Sequence, residues 1–411
     1  MNPIKKLTRP NTLPLAFLCL AMCLSADAFE LTAVDTPTSV DSLAPRLAAT
    51  KDDRVVISWL EPHEKGHRLA YALFSEGQAG PAHTIHQGEG FFANWADTPG
   101  VVVMPDGTWL AHWLARSGQG TYAYDVMLAT SADQGATWSV PFSPHDDGTP
   151  TEHGFVSSYP ASPSAVGLAW LDGRETAPAP EDAPTTGHAH GGHGAMTLRT
   201  ALIAPDGTIS EGAQLDDRVC DCCGTAAAVT ADGPVVVYRD RSDDEIRDIM
   251  LVRRGPAGWS EPVRVHADEW RITACPVNGP AVLARGRQLV VAWFTMAADE
   301  TPRVNVAVST DSGVSFSTPV ALDTGSAMGR VDLAWAESGF ILVWMAENGS
   351  GANVNLAKFD LDGRLVERGS LVELDAGRGS GFPRIAALDG GRILLAWTGA
   401  DGVQLGIVDI D

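Results

Sequence analysis

The chain has 411 residues, 45% of them hydrophobic, enough for a large buried core. Its 29 Lys and Arg stand against 51 Asp and Glu, a net charge of −22. That balance argues against nucleic acid and anionic membrane as partners.

The first element is a targeting segment. Lys5, Lys6 and Arg9 precede an apolar stretch, Leu13 to Leu24, and Ala26-Asp27-Ala28 is a small-x-small cleavage signal. Residues 1–28 therefore read as a signal peptide, with a mature chain from Phe29 exported to the periplasm or beyond. The apolar stretch is too short to span a bilayer, and no later stretch looks transmembrane. Met22 stands where a lipid-attachment motif at Cys23 needs a small residue, so a lipoprotein is not expected.

An apolar burst ending in an aromatic then recurs seven times, at Trp59, Trp113, Trp170, Tyr238, Trp293, Trp344 and Trp397. The gaps are 54, 57, 68, 55, 51 and 53 residues. Strand-like units at such a period predict an all-β propeller. Asp-Gly turns at 106, 206, 232, 362 and 389 mark hairpins between the strands. The repeat predicts seven four-stranded antiparallel blades, or six if one copy is decorative, in one domain over 29–411. Each burst is assigned to the second strand. The first strands, such as Pro45-Arg46-Leu47-Ala48 and Pro383-Arg384-Ile385-Ala386, then line the channel. Too few residues follow Trp397 for a whole blade, so Phe29 to Val34 is expected to add its outer strand and remove an exposed edge. The long gap holds a Pro/His-rich insertion at about 175–195, expected on the face where the first strands begin.

Ser131-Ala132-Asp133-Gln134-Gly135-Ala136-Thr137-Trp138 has the form Ser-x-Asp-x-Gly-x-Thr-Trp, and Ser309 to Phe316 is a looser copy. On these motifs the chain resembles the sialidase-like (BNR/Asp-box repeat) β-propeller superfamily. The resemblance implies structural boxes on the face opposite the active site. It also implies a possible sialidase-type exo-glycosidase, with three arginines clamping a substrate carboxylate. Arg46, Arg330 and Arg384 are the candidates. Simple pairing with a neighbouring acid, as in Arg330-Val331-Asp332, is the plainer alternative. The family's nucleophile is a tyrosine of the late blades, and none of the five tyrosines lies beyond Tyr238.

Outside the apolar leader the cysteines are Cys220, Cys222, Cys223 and Cys275. The first three open the fourth blade and Cys275 opens the fifth, so ring closure should bring them together at the channel mouth. In an extended strand, Cys220 and Cys222 would stand roughly 6.5 Å apart on one side, with Cys223 on the other. Three outcomes are open: disulfides, thiol redox chemistry, or a soft metal site for copper in preference to zinc. Histidines expected on the same face are His63, His67, His153 and the tract His188, His190 and His193. Met296 and Met328 are expected there too. The charged segment from Arg239 to Asp248 follows next to the cysteines, either as solvated ion pairs or as a shell orienting ligands. The functional expectation is metal handling or metal-dependent oxidation, with a periplasmic metal-handling protein or a small glycan as partner. A non-catalytic binding scaffold is the remaining alternative.

Overall fold

In a computed structural model, residues 29–177 and 194–410 are described. The predicted signal peptide and His188, His190 and His193 lie outside the described residues.

The strands form seven antiparallel sheets around a central channel. Blade one is built from Leu43–Ala49, Val55–His63 and Gly66–Ser75, with short outer pieces at Gln78–Ala79 and His83–Gly88. Blade two uses Gly100–Val103, Trp109–Arg116 and Tyr124–Ser131, and blade three His153–Pro160, Val166–Asp172, Thr197–Ile203 and Ile209–Asp216. Blade four runs Ala226–Thr230, Gly233–Arg239 and Ile249–Gly255, edged by Gly258–Trp259 and Val263–Arg264. Blade five takes Ala281–Arg285, Gln288–Thr295, Arg303–Ser309 and Val320–Leu322; blade six takes Ala327–Ala336, Gly339–Glu347, Ala352–Asp360 and Leu365–Leu374. Blade seven is Arg384–Leu388, Arg392–Gly399 and Gly402–Asp409, completed by Leu31–Val34 from the N-terminal side, which pairs with Leu405–Val408. This closure joins the two ends of the ring, as the sequence pattern requires. Among the described residues no helix is long and apolar enough to cross a membrane.

Each repeat aromatic lies on the second strand of its blade and is buried. Burying each aliphatic neighbour stabilises the fold by about 1.5–3 kcal/mol, so the repeat itself is the core. The polar tips of five of these seven aromatics are satisfied by acids. Trp59 Nε1 donates to Glu61 (2.8 Å), Trp170 to Asp172 (2.9 Å), Trp293 to Asp268 (2.6 Å) and Trp344 to Asp323 (2.8 Å). Tyr238 Oη donates to Asp216 at 2.5 Å.

The pairing register fixes what faces the channel. The residue before each repeat aromatic pairs with Arg46, Gly100, Ser157, Ala226, Ala281, Asp332 or Arg384, one from each first strand. Just upstream, the first strands of blades one, three and six are bulged, with Ala44, Phe155 and Arg330 at φ of 58°, 53° and 57°. Arg330 thus occupies the place of Ala44, two residues before the channel position, and is not equivalent to Arg46 and Arg384.

Candidate metal centre at the channel mouth

The segment before Ala226 does not continue as a strand. Val219 bridges Asp240, Cys220 N donates to Arg239 O (3.0 Å), and the chain then turns at Asp221-Cys222. The turn replaces the expected extended geometry and folds the three sulfurs inward. Cys220 Sγ lies 3.9 Å from Cys222 Sγ and 3.0 Å from Cys223 Sγ, and all three lie within 4.8 Å of one another. The four cysteines are free thiols, with Cys220 and Cys223 buried and Cys275 exposed.

Cys275 arrives from blade five because the two mouth segments meet backbone to backbone. A Cβ on Gly279 would fall 2.1 Å from Gly224 O, so this crossing requires glycine. Arg239 fastens the seam. Its guanidinium donates to Asn278 O (2.9 Å), Arg247 O (2.6 Å) and Phe294 O (2.6 Å), and covers the Trp270 ring at 4.9 Å. Cys275 comes near enough to Cys222 for the two thiols to influence each other's ionisation.

The charged segment after blade four's second strand orients this group. Arg247 NH1 donates to Cys220 Sγ at 3.3 Å, and its NH2 is held by Glu245 at 2.8 Å. Arg241 links Glu245 to Asp221. Burial opposes ionisation of Cys220, but the neighbouring thiols of Cys222 and Cys223 and the Arg247 guanidinium outweigh it and hold its pKa well below the usual thiol range. The nearby Cys222 thiol likewise lowers Cys275, against partial burial. Cys222 is pushed up by its hydrogen bonds to the flanking sulfurs, and Cys223 by burial and its bond to Cys220. The cluster therefore offers anionic sulfur beside an arginine.

Cys222 also lines the central cavity of about 370 Å³, together with Arg46, Asp97, His112, Asp332 and Arg384. Arg46 Nε donates to Thr98 Oγ1 (2.8 Å); burial and the nearby Arg384 lower its pKa to about 9. Asp332 accepts from Ile385 N at 3.0 Å. Arg330 leaves this group. It donates to Gly381 O (3.0 Å) and Gly377 O (3.2 Å) and lies over Trp95 at 4.9 Å. Arg46 and Arg384 thus converge, while Arg330 braces blade six.

The histidines separate. His63 and His67 sit on the mouth face at the blade-one hairpin, where His67 packs on Phe91 with ring centroids 6.4 Å apart. His153 opens blade three but stacks on His145 among aspartates, away from the thiols. Met296 and Met328 pack into hydrophobic clusters of blades five to seven.

Sequence reasoning missed the buried acids beside the mouth. Tyr124 Oη donates to Glu152 (2.6 Å) and approaches Asp97 (3.2 Å). Burial raises Asp97 to about 7 and, with the charges of Asp97, Asp221 and Cys275, Glu152 to about 8. Asp97 Oδ1 accepts from Phe155 N (2.8 Å), as Asn278 Oδ1 accepts from Arg330 N (2.8 Å). Both lie three residues before a channel position, a spacing visible in the sequence once the register is known.

The two Asp boxes lie on the opposite face, at the ends of third strands, where the resemblance puts them.

No family model and no curated protein sequence matches the chain. Solved structures do. A protein of unknown function from Dyadobacter fermentans DSM 18053 is similar at 12% identity, over 94% of this chain and 99% of that one, with a TM-score of 0.54. The polysaccharide lyase Uly1 is similar at 11% identity over 92% of each chain, TM-score 0.52. The intramolecular trans-sialidase from Ruminococcus gnavus is similar at 12% identity, over 78% and 96%, TM-score 0.48. At such identities the likeness is one of fold. The fold is a seven-bladed β-propeller.

Proposed function

We propose that the chain is an exported metal-binding protein whose channel mouth holds one soft ion, copper in preference to zinc, in metal handling or metal-dependent redox chemistry. The observation that carries this is the packing of three sulfurs from one turn within 4.8 Å of one another. Two sulfurs bound to one ion at about 2.3 Å stand about 3.8–4.0 Å apart. The Cys220–Cys222 separation of 3.9 Å matches that spacing. Soft thiolates select Cu(I) and Zn(II), and Arg247 offsets the negative charge such a complex would carry. In this reading exposed Cys275 would exchange the ion with a periplasmic metal-handling partner.

The test is metal analysis with thiol counting, on protein produced in copper-supplemented periplasm. The reading expects one equivalent of copper, lost in Cys222→Ser/Cys223→Ser. Substoichiometric metal unchanged in that variant defeats it.

The 3.0 Å between Cys220 and Cys223 favours a second reading, a reversible disulfide closed with little movement. It predicts that thiol titration of the metal-free protein finds two reactive thiols after mild oxidation and four after reduction. A binding scaffold predicts no metal and no turnover. The glycosidase reading rests on Arg46 and Arg384 alone in the channel. Turnover of a fluorogenic sialoside, abolished by Arg46→Ala or Arg384→Ala, would establish it.

A further inference from the structure

A second cluster of ligand-type side chains lies at the seam of blades two and three, without any cysteine. Asp125 stands on the third strand of blade two. His145 and Asp147 come from the segment joining the blades, His153 opens blade three, and Asp172 ends its second strand. The rings of His145 and His153 stack at 4.0 Å with an interplanar angle of 14°. Candidate ligand atoms of Asp125, His145 and His153 lie within 4.8 Å of one another, and so do those of Asp147, His153 and Asp172.

The charges here do not balance. Arg174 engages Asp172 twice at 2.7 Å and reaches Asp147 at 3.4 Å. Arg199 approaches Asp172 at 3.8 Å and Glu175 at 3.5 Å. Four carboxylates against two guanidiniums leave two negative charges beside two imidazoles. His153 Nδ1 meets Tyr124 O at 3.3 Å and Asp125 at 3.5 Å. The two Nε2 atoms, however, have no hydrogen-bond partner among the described residues: His153 Nε2 lies 3.2 Å from Asp147 Oδ2 without hydrogen-bond alignment, and His145 Nε2 has none. These side chains are 0% and 4% exposed, shielded from bulk solvent. Buried orphan nitrogens are rare and costly.

We propose that this cluster is a second metal site, binding one divalent transition-metal ion of the zinc class through His145, His153 and Asp125. Imidazole and carboxylate suit such an ion, and its two charges cancel the excess. Asp172 is already engaged by Arg174, whereas Asp125 is 32% exposed and opens the cluster to solvent. Asp147 Oδ2, 3.1 Å from His145 Nδ1, is the outer carboxylate that orients a ligating histidine. The donors are harder than the thiols, so the two sites take different ions.

The experiment titrates a full-length chain carrying Cys→Ser at 220, 222, 223 and 275 with Zn²⁺ by calorimetry and with Co²⁺ by absorbance. One equivalent should bind, the cobalt spectrum lacking sulfur charge-transfer bands. His145→Gln and Asp125→Asn should each weaken affinity by about 100-fold. No saturable binding, or binding indifferent to both substitutions, overturns the proposal. Should the cysteine-free chain not fold, the same two substitutions in the otherwise unaltered protein must lower zinc stoichiometry by one equivalent; an unchanged stoichiometry overturns it equally.

Discussion

The two faces of this propeller treat polar groups in opposite ways. On the Asp-box face each turn closes on its own backbone and hydroxyl hydrogen bonds, although Trp138 Nε1 of the first box has no partner among the described residues. Asp133 Oδ1 accepts from Thr137 N at 2.8 Å and Ser131 Oγ from Gly135 N at 2.8 Å. The second box repeats this, with Asp311 to Ser315 N at 2.9 Å and Ser309 to Gly313 N at 2.9 Å. On the mouth face, three sulfurs crowd an arginine, acids are buried, and two imidazole nitrogens lack hydrogen-bond partners among the described residues. Turns that close on themselves need no ligand. Groups gathered from several blades and left unbalanced are consistent with something binding between them.

The largest effect that would break this contrast is at the thiols. Cys222→Ser/Cys223→Ser should remove soft-metal binding altogether, while Asp133→Ala on the other face leaves the metal content unchanged; equilibrium dialysis with elemental analysis separates them. Next comes Arg247→Met, which should weaken metal affinity by about 10–100-fold through loss of the charge beside Cys220, read by competition with a chelator. A change confined to stability is expected on the box face. Gly135 sits at φ 88°, and a Cβ there would fall 2.6 Å from Tyr71 Oη. Gly135→Ala should cost more than about 1 kcal/mol in a denaturant melt with metal affinity intact.

A further effect concerns pH. Asp97 has its pKa raised by burial to about 7, above the ordinary 3.8 it regains on unfolding. Between these values the folded chain holds a proton that the unfolded chain has released. Stability therefore falls as pH rises from about 4 to about 7 and levels off above. In Asp97→Asn that part of the slope should vanish; a slope unchanged in the variant would show that Asp97 titrates normally.

The blades were legible because the aromatic bursts are the core, and a period near 54 residues survives every loop change. Ring closure followed, and with it the meeting of Cys275 with Cys222. The turn at Asp221-Cys222 was not legible, because strand periodicity says nothing about where a strand has yet to begin. Arg330 misled for a related reason. The bulge before Asp332 shifts it two residues off the channel, and bulges leave no mark in hydrophobic alternation. The partners of His153 were hidden because they come from another blade and from the segment around His145 and Asp147.

X-ray absorption of the copper-loaded protein tests the central claim most directly. The account predicts a first shell of sulfur at about 2.3 Å, lost in Cys222→Ser/Cys223→Ser. A shell of nitrogen and oxygen alone, or one that survives in that variant, would contradict it.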